Sequence, residues 1–172
     1  MQSSYRPEID GLRAVAVGTV VMFHAFPRIL HGGFVGVDVF FVISGFLITR
    51  IIVDEARRNE FRFSQFYGRR IRRIFPAFLL MVLAVAVVGY AVETTARLQL
   101  LGNDILGAVF FVPNFIFWHE AGYFDLSAAT KPLLHTWSLG VEEQFYIVWP
   151  ALILVVFRQN WNLTRTLVVL VV

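Results

Sequence analysis

A guanidinium and an imidazole share one apolar stretch near the start of this 172-residue chain. Arg13 and His24 lie eleven positions apart, and residues 14–23 between them carry no charge. In an α-helix, eleven steps make three turns plus about 20°, so both side chains lie on one face, about 16 Å apart along the axis. An ionisable group inside a membrane span is costly and by default indicates a functional site. We therefore expect a cation at the membrane edge and a catalytic imidazole below it.

Asp38 is a candidate partner for this histidine. If the first two apolar stretches form an antiparallel hairpin, His24 and Asp38 lie at similar depth, roughly 6 to 9 Å from the outer ends. A carboxylate that accepts a hydrogen bond from one imidazole nitrogen leaves the other free to take a proton or attack an acyl carbon. The alternative is that Asp38 pairs with Arg28 or caps a helix, while His24 bonds a backbone carbonyl.

Four arginines cluster where a basic loop meets the third apolar stretch, at Arg69, Arg70, Arg72 and Arg73. Guanidinium groups bind phosphate oxygens bidentately, so this cluster could clamp the phosphates of a ligand. Basic residues that flank a span also set membrane orientation and contact anionic lipid headgroups, which is the alternative interpretation.

Two adjacent carboxylates, Glu142 and Glu143, stand directly before another apolar run. On a helix they point about 100° apart, so at most one is expected to face a buried cavity. That carboxylate could act as a base or orient a sugar hydroxyl, or it could simply stabilise the start of a helix. No metal site is predicted, because cysteine is absent and the four histidines are scattered.

The elements that position these residues are membrane helices. The chain is 58% hydrophobic and only 16% charged, with a mean hydropathy of +0.68. Apolar runs of spanning length cover residues 14–30, 34–53, 74–92 and 145–157, and another opens at Leu167. We predict an all-α, polytopic transmembrane helix bundle in which residues 1–172 are the amino-terminal part, a fragment of a larger bundle.

Charge sets the expected orientation. Eight of the fifteen basic residues lie between Arg50 and Arg73, so this loop and the amino terminus are predicted to be cytoplasmic. Residues 103–118 are short and apolar and either span or are re-entrant. Charge bias favours residues 119–143 outside and residues 158–165 inside, which would make 103–118 re-entrant or interfacial.

Four motifs in order resemble one protein family. They are Tyr5–Arg13 leading to His24, the run Gly33–Ile48, the Arg-x-x-Arg pairs within 69–73, and Trp137–Tyr146. Together they are similar to the acyltransferase-3 family of integral membrane acyltransferases, and the resemblance covers almost the whole chain. It implies that Arg13 and His24 form the family's essential R-x10-H motif and that the arginine cluster is its Arg-x-x-Arg motif.

The resemblance also implies an activity. Such proteins transfer acyl groups, usually acetyl, from cytoplasmic acetyl-coenzyme A onto extracytoplasmic carbohydrate such as O-antigen, peptidoglycan or exopolysaccharide. We thus expect an O-acetyltransferase of the bacterial cytoplasmic (inner) membrane, with an acyl-coenzyme A donor, a carbohydrate or lipid-linked glycan acceptor, the lipid bilayer as a partner, and no nucleic acid.

In this hypothesis His24 is a general base or a transient acyl carrier, partnered by Asp38, Glu142 or Glu143, while Arg13 and the arginine cluster hold donor phosphates. A second hypothesis is a transporter or flippase for a lipid-linked glycan, with His24 and Asp38 as a proton relay. A membrane anchor or sensor without catalysis is a third, which leaves the cost of the buried ionisable groups unexplained.

Overall fold

The computed structural model describes residues 6–26, 28–120 and 130–158, without the side chains of 120 and 158. The helices are α1 (Pro7–Ala25), a 3₁₀ turn (Gly33–Val35), α2 (Gly36–Arg57), α3 (Phe63–Val92), α4 (Thr95–Val109), α5 (Pro113–Glu120) and α6 (Thr136–Arg158). No strand occurs in these ranges, which confirms the all-α prediction. The chain divides after Glu55 into two compact units.

Three of the helices are long and apolar enough to cross a membrane, over Gly33–Arg57, Phe63–Val92 and Thr136–Phe157. They contain the predicted spans 34–53, 74–92 and 145–157. The predicted run that opens at Leu167 lies outside the described residues. Much of the apolar surface of α3 is exposed in the chain by itself, for example Leu80 at 69%. Exposed aliphatic surface of this extent fits a helix whose neighbours include lipid.

Helix α1 covers only part of the predicted first span, since it ends at Ala25 rather than Leu30. Its first turns are charged, and it is therefore not one of the three long apolar helices. At the start of α1, a backbone hydrogen bond and then the neighbouring Arg6 lower the pKa of Glu8. Acidic groups in a first turn stabilise the positive end of the helix dipole.

Glycines bring α2 against α1 in the first unit. A Cβ added at Gly33 would lie 2.4 Å from the Thr19 carbonyl oxygen, and one added at Gly36 would lie 2.3 Å from the Ala16 oxygen. Small residues allow such close helix approach in membranes. The contacts run backwards along α1 as α2 advances, so the two helices form an antiparallel hairpin.

The second unit is built on a core of Phe78, Val82, Leu101, Ala108 and Leu133, contributed by α3, α4 and the segment before α6. Helix α4 contacts α3, α5 and α6, and α5 packs along α6. The inward residues Phe78, Val82 and Gly89 of α3 are four and seven positions apart and lie within about 40° of one another, as expected for one helix face.

Residues 103–118 form the end of α4, a turn and most of α5. Phe111 lies in the turn with φ of 55°, a conformation that non-glycine residues rarely adopt. Helix α4 has 15 residues and α5 has 8, so neither reaches the roughly 20 residues that a span requires. The segment is thus a broken helix, and its re-entrant placement stays a prediction.

Candidate active site

Arg13 and His24 are carried by one uninterrupted helix, so the predicted spacing along a single face is realised in α1. The Arg13 guanidinium carbon lies 5.4 Å from the centroid of the Phe40 ring. Its Nη1 is 3.9 Å from Asp10 Oδ1, while its Nε is buried with no hydrogen-bond acceptor among the described residues. A buried donor without an acceptor is costly, and an anionic ligand would satisfy it.

His24 donates a hydrogen bond from Nδ1 to the Val20 carbonyl oxygen, 2.8 Å away. Since a carbonyl oxygen only accepts, the proton of the neutral ring lies on Nδ1 and the lone pair on Nε2. The ring is exposed and makes an edge contact with Phe23. The backbone thereby fixes the tautomer that was expected from a carboxylate partner.

Asp38 is not the partner of His24 in this structure. An added Cβ at Gly36 would meet Ala16, Thr19 and Val20, so Asp38, two residues further along α2, lies near the level of Ala16. That is roughly 12 Å along α1 from His24. The prediction of similar depth failed because the 3₁₀ turn and the two close-packed glycines draw the start of α2 down along α1. Asp38 is instead exposed in the first turn of α2, as in the helix-capping alternative.

The four clustered arginines differ from one another. Arg69, Arg72 and Arg73 are exposed, whereas Arg70 lies on the inward face of α3 with 14% of its side chain exposed. Its Nη2 is 2.8 Å from Glu143 Oε1 on α6, and its guanidinium carbon is 3.3 Å from the centroid of the Tyr146 ring. Its Nε is buried and has no acceptor in the described part of the chain.

The two adjacent carboxylates have different partners. Glu143 forms the ion pair with Arg70, and its side chain is 15% exposed. Glu142 accepts a hydrogen bond from the hydroxyl of Tyr146, one turn further along α6. Glu143 is thus the counter-ion of Arg70, while Glu142 is hydrogen-bonded within its own helix.

The contacts of α3 with α6 set the relative direction of the two helices. Arg70 contacts Glu143, and Tyr67, three residues earlier, contacts the carbonyls of Tyr146 and Ile147. The contacts run backwards along α6 as α3 advances, so the two helices are antiparallel. The orientation with residues 119–143 outside and 158–165 inside stays a prediction.

Tyr67 and Pro150, which the sequence analysis did not single out, also belong to this site. The Tyr67 hydroxyl on α3 donates to the carbonyls of Tyr146 and Ile147, at 3.4 and 3.2 Å. Pro150 has no N–H, so it leaves the Tyr146 carbonyl without its helical partner. A proline inside an apolar helix is the signal that could have pointed to such a donor.

Gln144 joins α6 to the break between α4 and α5. Its Nε2 lies 2.7 Å from the Phe111 carbonyl oxygen and 2.8 Å from Asn114 Oδ1. In lipid, carbonyls released by a helix break need internal donors, and this amide supplies one. Gln144 lies within the Trp137–Tyr146 motif, but its partners could not be read from the sequence.

The long apolar helices define an integral membrane protein with a polar cluster between α3 and α6. A family model described as an acyltransferase domain matches residues 6–172. The chain therefore belongs to the acyltransferase-3 family, as the motifs indicated.

Similar curated proteins agree with this assignment. The peptidoglycan O-acetyltransferase OatA of Listeria monocytogenes serovar 1/2a is 42% identical over 90% of this chain and 25% of the relative. The putative peptidoglycan O-acetyltransferase YrhL of Bacillus subtilis strain 168 is 42% identical over 88% and 24%, respectively. The O-acetyltransferase OatA of Staphylococcus aureus strain NCTC 8325 is 39% identical over 87% and 25%. The chain spans about a quarter of the length of these relatives, and no solved structure matches it.

Proposed function

We propose that this chain contributes the donor side and the reactive imidazole of a membrane O-acetyltransferase. The enzyme moves an acetyl group from cytoplasmic acetyl-coenzyme A to a hydroxyl of an extracytoplasmic carbohydrate. Among the expected acceptors we favour peptidoglycan, because two of the relatives are named as peptidoglycan O-acetyltransferases or putative ones. The observation that most supports the chemistry is the His24 ring, whose Nδ1 is held by the Val20 carbonyl.

His24 can act in either of two ways with Nε2. As a base, Nε2 takes the proton of the acceptor hydroxyl, the hydroxyl oxygen attacks the thioester carbonyl, and the departing thiolate receives that proton. As a carrier, Nε2 attacks the thioester carbonyl and expels the coenzyme A thiolate; the acceptor oxygen then displaces the acetyl group from Nε2, and its proton goes to that thiolate. In both routes the fixed Nδ1–H directs the lone pair of Nε2 toward the reacting carbon.

The arginines bind the donor in this proposal. Arg13 and Arg70 each hold a buried Nε without an acceptor among the described residues, which suits a phosphate oxygen. The exposed Arg69, Arg72 and Arg73 add positive charge around Arg70. The length of α1 between Arg13 and His24, about 16 Å, is a plausible reach for the pantetheine arm of coenzyme A.

The carboxylates have separate tasks. Glu143 neutralises Arg70, and Glu142, held by the Tyr146 hydroxyl, is the one retained as a hydrogen-bond acceptor for a substrate. Asp38 is assigned to the start of α2. A proton relay for a transporter would need further groups between His24 and Asp38, since the hairpin register does not bring the two into direct contact.

The test is ester-linked acetate on cell-surface glycan, released by mild alkali from purified peptidoglycan. We expect the full-length His24→Ala protein to lose at least about 100-fold of the acetylation, the usual contribution of a general base or nucleophile. His31→Ala is the matched control, since His31 is exposed in the turn after α1. Normal acetylation in His24→Ala cells with normal protein levels would contradict the proposal.

The two roles of His24 are separated by trapping. Protein incubated with radiolabelled acetyl-coenzyme A and no acceptor retains label on His24 if the histidine is a carrier. Saturating donor without retained label assigns the base role.

A further inference from the structure

Tyr146 is a buried aromatic residue, 2% exposed, whose ring lies beneath the Arg70 guanidinium. The separation of 3.3 Å between the guanidinium carbon and the ring centroid is that of direct stacking. A planar guanidinium binds well to an aromatic face, and the attraction grows when both groups are removed from water. Tyr146 thus fixes the plane in which Arg70 lies.

The remaining freedom of Arg70 is rotation within that plane. The contact between Nη2 and Glu143 Oε1 removes it, because a hydrogen bond to one edge fixes the direction of the others. The Nε–H then points in a single direction, and it has no acceptor among the residues that the structure describes. A fixed and buried N–H without an acceptor can donate a hydrogen bond to an anionic oxygen of a ligand.

We infer that Tyr146 is a positioning residue of the donor site: its ring holds the Arg70 plane so that Nε–H meets a phosphate oxygen of a coenzyme A thioester. The inference rests on the proposed function. It assigns the hydroxyl of Tyr146 to Glu142 and the ring to Arg70, so the two parts of one side chain have separable effects.

The effect of Tyr146 is therefore expected in donor binding. Loss of the ring lets Arg70 rotate, which weakens the donor complex. A purely structural role would lower the amount of folded protein and reduce kcat and donor affinity together.

The experiment uses detergent-solubilised full-length protein, with equilibrium binding of radiolabelled acetyl-coenzyme A and initial rates of acetyl transfer to soluble peptidoglycan fragments. Tyr146→Leu is expected to raise the donor Kd about tenfold relative to Tyr146→Phe, since both variants lose the hydroxyl bond to Glu142 and only the leucine variant loses the buried cation–π contact. Tyr146→Phe keeps the ring and is expected to retain donor affinity. Tyr90→Leu is the matched control, because Tyr90 is 81% exposed on α3.

Arg70→Lys provides a second measurement if Tyr146→Leu does not fold. Lysine keeps the charge but has no plane to orient, so the donor Kd is again expected to rise about tenfold. Wild-type donor affinity in a folded Tyr146→Leu or Arg70→Lys protein would overturn the inference, as would equal loss of kcat in the Leu and Phe variants without a change in Kd. Failure of the unmodified protein to bind acetyl-coenzyme A would instead remove the proposed function.

Discussion

The His24 ring is oriented by its own helix. Its Nδ1 bonds to the carbonyl of Val20, four residues earlier, so no second helix is needed to set the tautomer. The sequence predicted a functional imidazole at this position from the cost of burying one in lipid. It did not indicate the partner, because any helical histidine has a carbonyl four residues before it and only the side-chain rotamer decides whether they meet.

The inward orientation of Arg70 also could not be predicted from the sequence. The four arginines were visible as a group, but their sequence neighbours did not single out the one that turns inward. Arg70 lies one turn, about 40°, from the buried Phe66, but about 80° and 120° from the buried Phe78 and Val82. Spacing along α3 is therefore a weak signal, and the counter-ion that a buried arginine requires lies on another helix.

Glu143 is the counter-ion, and its loss should destabilise the protein without donor. Glu143→Gln leaves a buried guanidinium uncompensated, for which we expect a loss of about 3 kcal/mol in unfolding free energy. Saturating acetyl-coenzyme A should restore part of the loss, because a phosphate replaces the missing charge. Thermal unfolding of the solubilised full-length protein, with and without donor, measures both effects.

Glu93→Gln is the matched control for this substitution. Glu93 pairs with Arg97 at 3.7 Å within a more exposed region, so its removal should change stability by less than about 1 kcal/mol. Equal losses in the two variants would contradict the distinction between the buried and the exposed pair.

At the scale of elements, the hairpin of α1 and α2 depends on two glycines. Gly36→Ala would place Cβ 2.3 Å from the Ala16 oxygen and 2.5 Å from Thr19 Oγ1, so the backbones must separate. We expect a loss of about 1 to 3 kcal/mol, the usual cost of overpacking. Gly45→Ala, with nothing within 4 Å of its Cβ, should be neutral or stabilise α2 by up to about 1 kcal/mol.

Protease resistance in detergent and thermal unfolding compare the two glycine variants directly. If Gly45→Ala proves as damaging as Gly36→Ala, then helix propensity or lipid contact, rather than the close approach of α2 to α1, determines the result.

Pro150 in α6 has no N–H for the Tyr146 carbonyl, and the Tyr67 hydroxyl on α3 donates to that carbonyl instead. Tyr67→Phe removes the hydroxyl that serves the Tyr146 carbonyl, so a loss of about 1 to 3 kcal/mol is expected. In Tyr67→Phe with Pro150→Ala, the alanine N–H restores the helical bond to that carbonyl, and most of the loss should be recovered. Chemical unfolding of the single and double variants measures this coupling, and simple additivity of the two effects would argue against it.

The three long helices could be predicted because hydropathy is a local property of the sequence. The break between α4 and α5 could be located near Pro113 but not explained, since its released carbonyl at Phe111 is satisfied by Gln144, far along the chain. Short apolar segments remain ambiguous from sequence when their hydrogen-bond donors come from another element.

At the scale of the whole molecule, family membership could be predicted from motif order and is confirmed over residues 6–172. The partner of Glu143 could not be predicted. The rule that relates basic loops to the cytoplasm treats each charge as facing water, whereas Glu143 faces Arg70. Ion pairs between helices remove charges from that count, and they are visible only in three dimensions.

The contact between Arg70 and Glu143 also has a consequence for how the chain enters the membrane. The two residues are 73 positions apart, so at about 5 to 20 residues per second the arginine leaves the ribosome roughly 4 to 15 s before its acid. During that interval lipid offers the guanidinium no compensation, which favours an early state with the amino end of α3 resting among headgroups. The amino end of α3 then inserts fully only after α6 has been synthesised.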